Sequence, residues 1–296
     1  MKITKTFVSI FLATFLVGYA SVLTNKQETK LFELSETNSK KISASQVEKI
    51  AELEMVEEIN GRNDEEKYPF KIKLLVTGSS FHGDEVKAKS GEIWLGLFKE
   101  NDEYYLRSTK LKVRHVYDEI VDDEDKKAKT GKEVIVDGKN QPIYLLKNAN
   151  AIREGKITTL FQGLSWKDVF DDKESDIAPD DMLTTLKKNF SRTFEINEKK
   201  YKLKTIEAKN EKGERIGALI LESDGVRQVL HTANVDDFFD LGHLYWVGDL
   251  DRDGKPDFYF DLFEHYNVMN RVLFLSSQAE KGKLLKKVAY FRTTGC

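Results

Sequence analysis

Four aspartates lie close together in the C-terminal half of this chain. Residues 248–263 read GDLDRDGKPDFYFDLF, in which Asp249, Asp251, Asp253 and Asp257 follow the spacing D-x-D-x-D-G-x-x-D. Aspartates at alternate positions can turn their carboxylates toward one point while the backbone curls around it. Calcium is a hard cation that takes several oxygen ligands in flexible geometry. The spacing therefore predicts a calcium site.

The residues between these aspartates complete the predicted site. Gly254 lies where the loop must turn sharply, in a conformation that other residues resist. The carbonyl of Lys255 is expected to point inward as a backbone ligand, and Asp257 is expected to close the far side. Without a cation these carboxylates repel one another, and neither Arg252 nor Lys255 is spaced to neutralise the centre. An acidic hairpin turn that binds no ion is the alternative interpretation.

The residues on either side of the loop have the pattern of strands. Residues 244–247 and 258–263 are apolar and rich in aromatic side chains, so the loop is predicted to join two strands of a β-hairpin. An EF-hand, which places its loop between two helices, is excluded. Its twelfth position requires a bidentate glutamate, and here that position is Phe260, while Pro256 occupies the eighth.

The loop resembles the calcium-binding loops of integrin-α-type FG-GAP and VCBS repeats, in which the same spacing lies on a β-hairpin. The resemblance implies that Asp249, Asp251, Asp253 and Asp257 are side-chain ligands and that Lys255 provides a carbonyl ligand. Propellers of that family repeat the loop on several blades, whereas this sequence contains one copy, so a full propeller is not expected. The C-terminal stretch is similar to exported bacterial proteins that carry a single loop of this kind.

The rest of the chain predicts a mainly β fold. Segments of alternating apolar and polar residues, separated by Gly and Asp-Gly turns, fill two β units, 68–170 and 171–296. Helical patterns are too few to connect parallel strands, so antiparallel sheets are predicted, with a few short helices chiefly at about residues 45–60 and 179–189. The predicted strands cover residues 68–78, 92–99, 104–117, 133–138, 141–146, 156–161, 192–196, 200–206, 216–222, 226–231, 244–247, 258–263, 271–276 and 284–292.

The N-terminus has the pattern of an export signal. Two lysines precede the uncharged and largely apolar residues 6–25, and Gly18 and Ala20 are small residues that suit cleavage. Residues 1–20 are therefore predicted to be a signal peptide, and residues 21–67 a polar leader with one helix. An uncleaved membrane anchor is the alternative, because this stretch is just long enough to span a bilayer. In both interpretations the β units are extracytoplasmic, either periplasmic or secreted.

Charge and cysteine content narrow the classes of function. The formal net charge is −3 and the acidic and basic residues are interspersed, which is not the pattern of a nucleic-acid-binding protein or a polybasic membrane patch. Cys296 is the only cysteine, so no internal disulfide can form. Its thiol is either a bridge to a partner protein or an incidental exposed group.

Two hypotheses of function remain. The sequence has no G-x-S-x-G elbow, P-loop, dinucleotide-binding motif or H-E-x-x-H motif, which favours a non-catalytic exported protein whose calcium stiffens one hairpin. Such a protein could bind a protein or cell-envelope partner. The alternative is an extracytoplasmic hydrolase of glycosidic or peptide bonds, with an acid pair such as Glu264 and Asp240.

Three further groups of side chains near the loop are candidates for binding. They are a set of histidines, a second acidic cluster, and an aromatic set that could stack on sugars or form core. The members are His231, His243 and His265; Asp236, Asp237 and Asp240; and Tyr245, Trp246, Tyr259 and Tyr266. Isolated histidines are more often ordinary structural residues, and aromatic residues on strands are more often core.

Overall fold

The structure is a computed structural model that describes residues 70–122, 128–163, 184–209, 213–235, 240–263 and 268–294. The described residues all belong to one compact unit, Glu54–Cys296. They form sixteen strands: β1 (Lys73–Leu75), β2 (Gly78–Phe81), β3 (Ile93–Glu100), β4 (Glu103–Val116), β5 (Gly131–Val136), β6 (Tyr144–Lys147), β7 (Gly155–Gln162), β8 (Thr185–Lys187), β9 (Ser191–Ile196), β10 (Lys199–Lys209), β11 (Arg215–Ser223), β12 (Val226–Asn234), β13 (Asp240–Asp249), β14 (Asp257–Leu262), β15 (Val268–Leu275) and β16 (Lys286–Thr294).

The strands pair antiparallel throughout the described residues, so the prediction of a mainly β, antiparallel fold is confirmed. Twelve strands form one sheet, whose main path is β1-β6-β3-β4-β7-β13-β14-β15-β16, with β2, β5 and β8 attached beside it. Because β1 lies next to β16, this path is nearly closed into a barrel-like sheet. The other four strands, in the order β12-β11-β10-β9, form a second sheet.

Two hydrophobic cores hold the hairpin of the aspartate-rich loop between them. β14 is buried along its whole length because its two faces enter different cores. Tyr259 packs inside the barrel-like sheet with Tyr144 and Trp246. Phe258 and Phe260 point the other way and pack with residues of the four-stranded sheet, with the Phe258 ring 5.6 Å from that of Phe194. The hairpin that carries the loop is therefore fixed from both sides.

The helix predicted at about residues 179–189 is wrong over the part that the structure describes. Residues 185–187 form β8, which pairs with β13. Leu186 is fully buried in the core between the two sheets, and burial of this side chain with strand pairing outweighs the helical signal of the flanking charges. No helix occurs among the described residues, and the helix predicted at 45–60 lies outside them.

The predicted β units meet within a single sheet. β7, from the unit 68–170, pairs with β13, from the unit 171–296, with Val247 opposite Phe161. The predicted signal peptide 1–20 and leader 21–67 lie outside the described residues. Within the part of the chain that is described, no helix has the length and apolar character needed to span a membrane.

An ion pair fixes the turn that follows β4. The Nδ1 atom of His82 lies 2.7 Å from Oδ2 of Asp118, and Oδ1 of Asp118 accepts hydrogen bonds from the backbone N–H groups of Ile120 and Val121. The hydrogen bond to Asp118 raises the pKa of His82 above its ordinary value of 6.5. The same bond lowers the pKa of Asp118 below 3.8.

The contribution of His82 to stability is expected to be present below about pH 6.5 and to be lost as the pH rises through its raised pKa. A group that binds its proton more tightly in the folded state favours folding while it is protonated. Asp118 has the opposite dependence, and its contribution is lost only as the pH falls through its lowered pKa. The free energy of unfolding, measured in urea, should be about 1 kcal/mol lower at about pH 8.5 than at about pH 5.5. The variant His82→Gln should lack this difference. The same pH dependence in both proteins would contradict this assignment.

Candidate metal centre

The aspartate-rich loop joins β13 to β14, as the strand pattern on either side of it predicts. Gly248 pairs with Asp257 at the end of the hairpin, so the first and last aspartates of the motif are held near each other by the register of the strands. Both strands are buried almost throughout. The packed cores therefore fix the two ends of the loop, and residues 250–256 form the connection between them.

Asp249 organises the backbone of the loop. Asp249 is 8% exposed, and its carboxylate accepts hydrogen bonds of 3.0 Å from the N–H groups of Asp253 and Gly254. Gly254 has a φ of 82°, a left-handed conformation that glycine adopts readily, and a Cβ atom there would lie 2.8 Å from Nδ2 of Asn197. Asp253 accepts a hydrogen bond of 2.9 Å from the N–H of Lys255. The backbone thus curls around the carboxylates, as the predicted site requires.

Asp257 closes the loop from a fully buried position. Its Oδ2 accepts a 2.8 Å hydrogen bond from the N–H of Leu250. Its Oδ1 accepts a 2.8 Å hydrogen bond from the N–H of Ser276 and a 3.1 Å hydrogen bond from the hydroxyl of the same serine. Three donors therefore hold this carboxylate in one orientation.

The structure brings Asp249, Asp251 and Asp257 together, with one carboxylate oxygen of each residue within 4.8 Å of the others. Oxygens that share one calcium ion at 2.3–2.6 Å lie at most about 5 Å apart, so this separation suits a single ion. Asp253 is not in this group, because its Oδ1 bonds to the N–H of Lys255 and to Ser276, and its Oδ2 lies 3.6 Å from the Lys255 ammonium.

Asp251 contains a buried oxygen without a partner. Its Oδ2 accepts a hydrogen bond from the hydroxyl of Ser277, whereas its Oδ1 is buried and has no hydrogen-bond partner among the described residues. A buried carboxylate oxygen without a donor is costly, and native structures rarely leave one unsatisfied. A cation among the three aspartates would satisfy it.

The electrostatics of the loop are those of uncompensated negative charge. Burial raises the pKa of Asp257 well above its usual range, and the charge of Asp251 raises it further. Burial also raises the pKa of Asp249, together with the charges of Asp253 and Asp251. The Tyr144 hydroxyl, which is fully buried and has no described partner, has a pKa raised by burial and by the charge of Asp257. A bound cation would offset this repulsion.

Arg252, one of the two basic side chains within the loop, contacts backbone outside the loop. The Arg252 guanidinium donates hydrogen bonds of 3.1 or 3.2 Å to the backbone carbonyls of Arg153, Glu154 and Lys156, just before and at the start of β7. On another side, Asn197 in the β9–β10 turn donates a 2.9 Å hydrogen bond to the carbonyl of Gly254. The loop is thereby attached to both sheets, and Arg252 does not neutralise the aspartates.

Sequence reasoning missed the two serines that contact the aspartates. Ser276 and Ser277 follow β15 and belong to no motif. They could have been predicted only from the register of the next hairpin. In that register Phe258 pairs with Phe274, which places residues 276 and 277 beside the loop. Deducing that register requires knowing that β14 and β15 pair.

The other candidate residues have structural roles where the structure describes them. His231 Nε2 lies 2.9 Å from the carbonyl oxygen of Phe263, and Asp240 accepts a local hydrogen bond from Gly242. The aromatic residues Tyr245, Trp246 and Tyr259 are at most 4% exposed, so they are core and not a sugar-stacking surface. His243 is also buried, with its Nδ1 3.3 Å from the Thr185 hydroxyl. The remaining candidates lie outside the described residues: Asp236, Asp237, Glu264, His265, Tyr266 and Cys296.

Comparisons of the chain with protein-family models, with curated proteins and with solved structures gave no match. The resemblance of residues 248–263 to FG-GAP and VCBS loops therefore stays a prediction.

Proposed function

We propose that this protein is an exported, non-catalytic calcium-binding protein in which one ion stiffens the β13–β14 hairpin. The proposal rests on the convergence of Asp249, Asp251 and Asp257, one carboxylate oxygen of each lying within 4.8 Å of the others, together with the buried, unpartnered Oδ1 of Asp251. A divalent cation at this point satisfies that oxygen and offsets the repulsion among the carboxylates.

Calcium suits this donor set better than other common ions. Calcium takes six to eight oxygen ligands in flexible geometry, which carboxylates, a backbone carbonyl and waters can provide together. The side chains of Asp249, Asp251 and Asp257 would bind the ion directly. Asp253 and the Lys255 carbonyl are further ligands in the proposal, as the resemblance to FG-GAP loops implies. Magnesium should substitute poorly, because it requires near-ideal octahedral geometry and releases its waters reluctantly.

The proposed location supports the choice of calcium. The N-terminal pattern of residues 1–20 predicts export. Extracellular calcium modules bind at about 10⁻⁴–10⁻³ M, which matches millimolar calcium outside the cytoplasm. A structural role is favoured over catalysis because the loop is bonded to both sheets through Arg252 and Asn197.

Calorimetric titration of the wild-type protein with calcium is the direct test of the proposal. We expect one binding event per chain, with a dissociation constant on the order of 10⁻⁴–10⁻³ M, and a much weaker response to magnesium. Calcium should also raise the melting temperature, and a chelator should reverse the rise. If no heat of binding appears and melting is indifferent to both calcium and chelator, the loop is only an acidic turn.

A further inference from the structure

The turn after β15 donates hydrogen bonds to three of the loop aspartates. The hydroxyl of Ser276, a residue only 5% exposed, lies 3.1 Å from Oδ1 of Asp253 and 3.1 Å from Oδ1 of Asp257. The hydroxyl of Ser277 donates to Oδ2 of Asp251. These contacts come from a separate hairpin, 19 to 26 positions along the chain from the aspartates that they reach.

We propose that Ser276 and Ser277 are positioning residues of the calcium site, so that the site is built from two chain segments and not from the loop alone. The Ser277 hydroxyl holds Oδ2 of Asp251, which leaves the buried, unpartnered Oδ1 of the same carboxylate to face the ion. Ser276 holds Asp257 through its backbone N–H, and its single hydroxyl hydrogen lies between the carboxylates of Asp253 and Asp257. The inference rests on the proposed function and extends it to residues outside the motif.

Outer hydrogen bonds of this kind decide how well a carboxylate binds a metal. An aspartate carboxylate rotates easily about its last torsion, and a donor on one oxygen fixes the direction of the other. Partners that orient metal ligands typically change affinity by about 10–100-fold when they are removed. Asp257 already receives two backbone donors from Leu250 and Ser276, whereas Ser277 is the one described donor to Asp251. The larger effect is therefore expected at Ser277.

Ser277→Ala is expected to weaken calcium binding by about 10–100-fold in calorimetric titration. Ser277 is exposed and lies in a turn, so the variant should have the same urea unfolding midpoint as the wild type in the presence of chelator. Ser277→Thr keeps the hydroxyl and should restore the wild-type affinity. Gln278→Ala, at the next exposed position of the same turn, is the matched control and should bind calcium as the wild type does.

The outcomes separate this inference from the function on which it rests. If the wild type binds calcium and Ser277→Ala binds it equally well, the positioning role is overturned and the proposed function stands. Affinity that falls in Ser277→Ala and is not restored by Ser277→Thr also overturns it, because the hydroxyl is then not the group that matters. If the wild type binds no calcium, both proposals fail.

Discussion

Replacing Asp261 with alanine is expected to lower the free energy of unfolding by about 3–5 kcal/mol. Asp261 is fully buried on β14 and forms a 2.8 Å ion pair with Arg271, the residue opposite it on β15. The guanidinium of Arg271 lies 4.4 Å from the centroid of the Tyr245 ring. The other carboxylate oxygen of Asp261 accepts the backbone N–H of Asn270 at 2.8 Å. Without the carboxylate, the guanidinium of Arg271, whose side chain is only 13% exposed, loses its counter-charge. Chemical denaturation of both proteins measures the loss.

The control is a pair of opposite charges at the surface, Lys286 with Glu280. Glu280 lies 3.0 Å from Lys286, with side chains 73% and 50% exposed, so Glu280→Ala should cost less than about 1 kcal/mol. The double variant Asp261→Leu with Arg271→Met removes both charges and should recover much of the lost stability, since apolar replacements of buried pairs are often neutral. A cost at Asp261 no larger than that at Glu280 would show that the buried pair is unimportant to the fold.

The strands could be predicted from local pattern, because burial of one face produces alternation. Residues 92–99 and 104–117 were predicted as strands, and the structure has β3 at Ile93–Glu100 and β4 at Glu103–Val116. The pairing of strands could not be predicted in this way. β7 pairs with β13 across a long stretch of chain, and nothing in either segment specifies its partner. The residues of β8 favour helix locally, because the pairing of β8 with β13 leaves no mark in its own sequence.

The candidate site also has a part that the local sequence predicts and a part that depends on strand pairing. The spacing of the aspartates and Gly254 predicts a curled, acidic loop, since those features are local to residues 249–257. Ser276 and Ser277, and the Arg252 contacts near β7, depend on which hairpins become neighbours. These contacts follow from the arrangement of the whole sheet and could not be predicted from the local sequence.

Asp251→Ala is expected to abolish the calcium-dependent stabilisation of the protein. With a dissociation constant near ~10⁻⁴ M and ~1 mM free calcium, binding adds roughly 1.4 kcal/mol to the wild type. For a domain of this size that corresponds to a rise of roughly 3–6 °C in melting temperature. The variant lacks the oxygen that the structure leaves buried and unpartnered, so its melting should not respond to calcium. Thermal melts with and without chelator measure both responses.

In the presence of a chelator, the Asp251→Ala variant should no longer be less stable than the wild type. The charge of Asp251 raises the pKa of Asp257 and of Asp249, so its removal relieves repulsion, and the variant should be at least as stable as the wild type without calcium. Asp84→Ala, which removes an exposed aspartate outside the loop, is the control and should keep the full calcium response. Leu250→Ala is not a suitable control, because the Leu250 side chain is fully buried in the barrel-like sheet and its truncation would itself cost stability. An Asp251→Ala variant that still melts higher in calcium would show that the ion binds elsewhere.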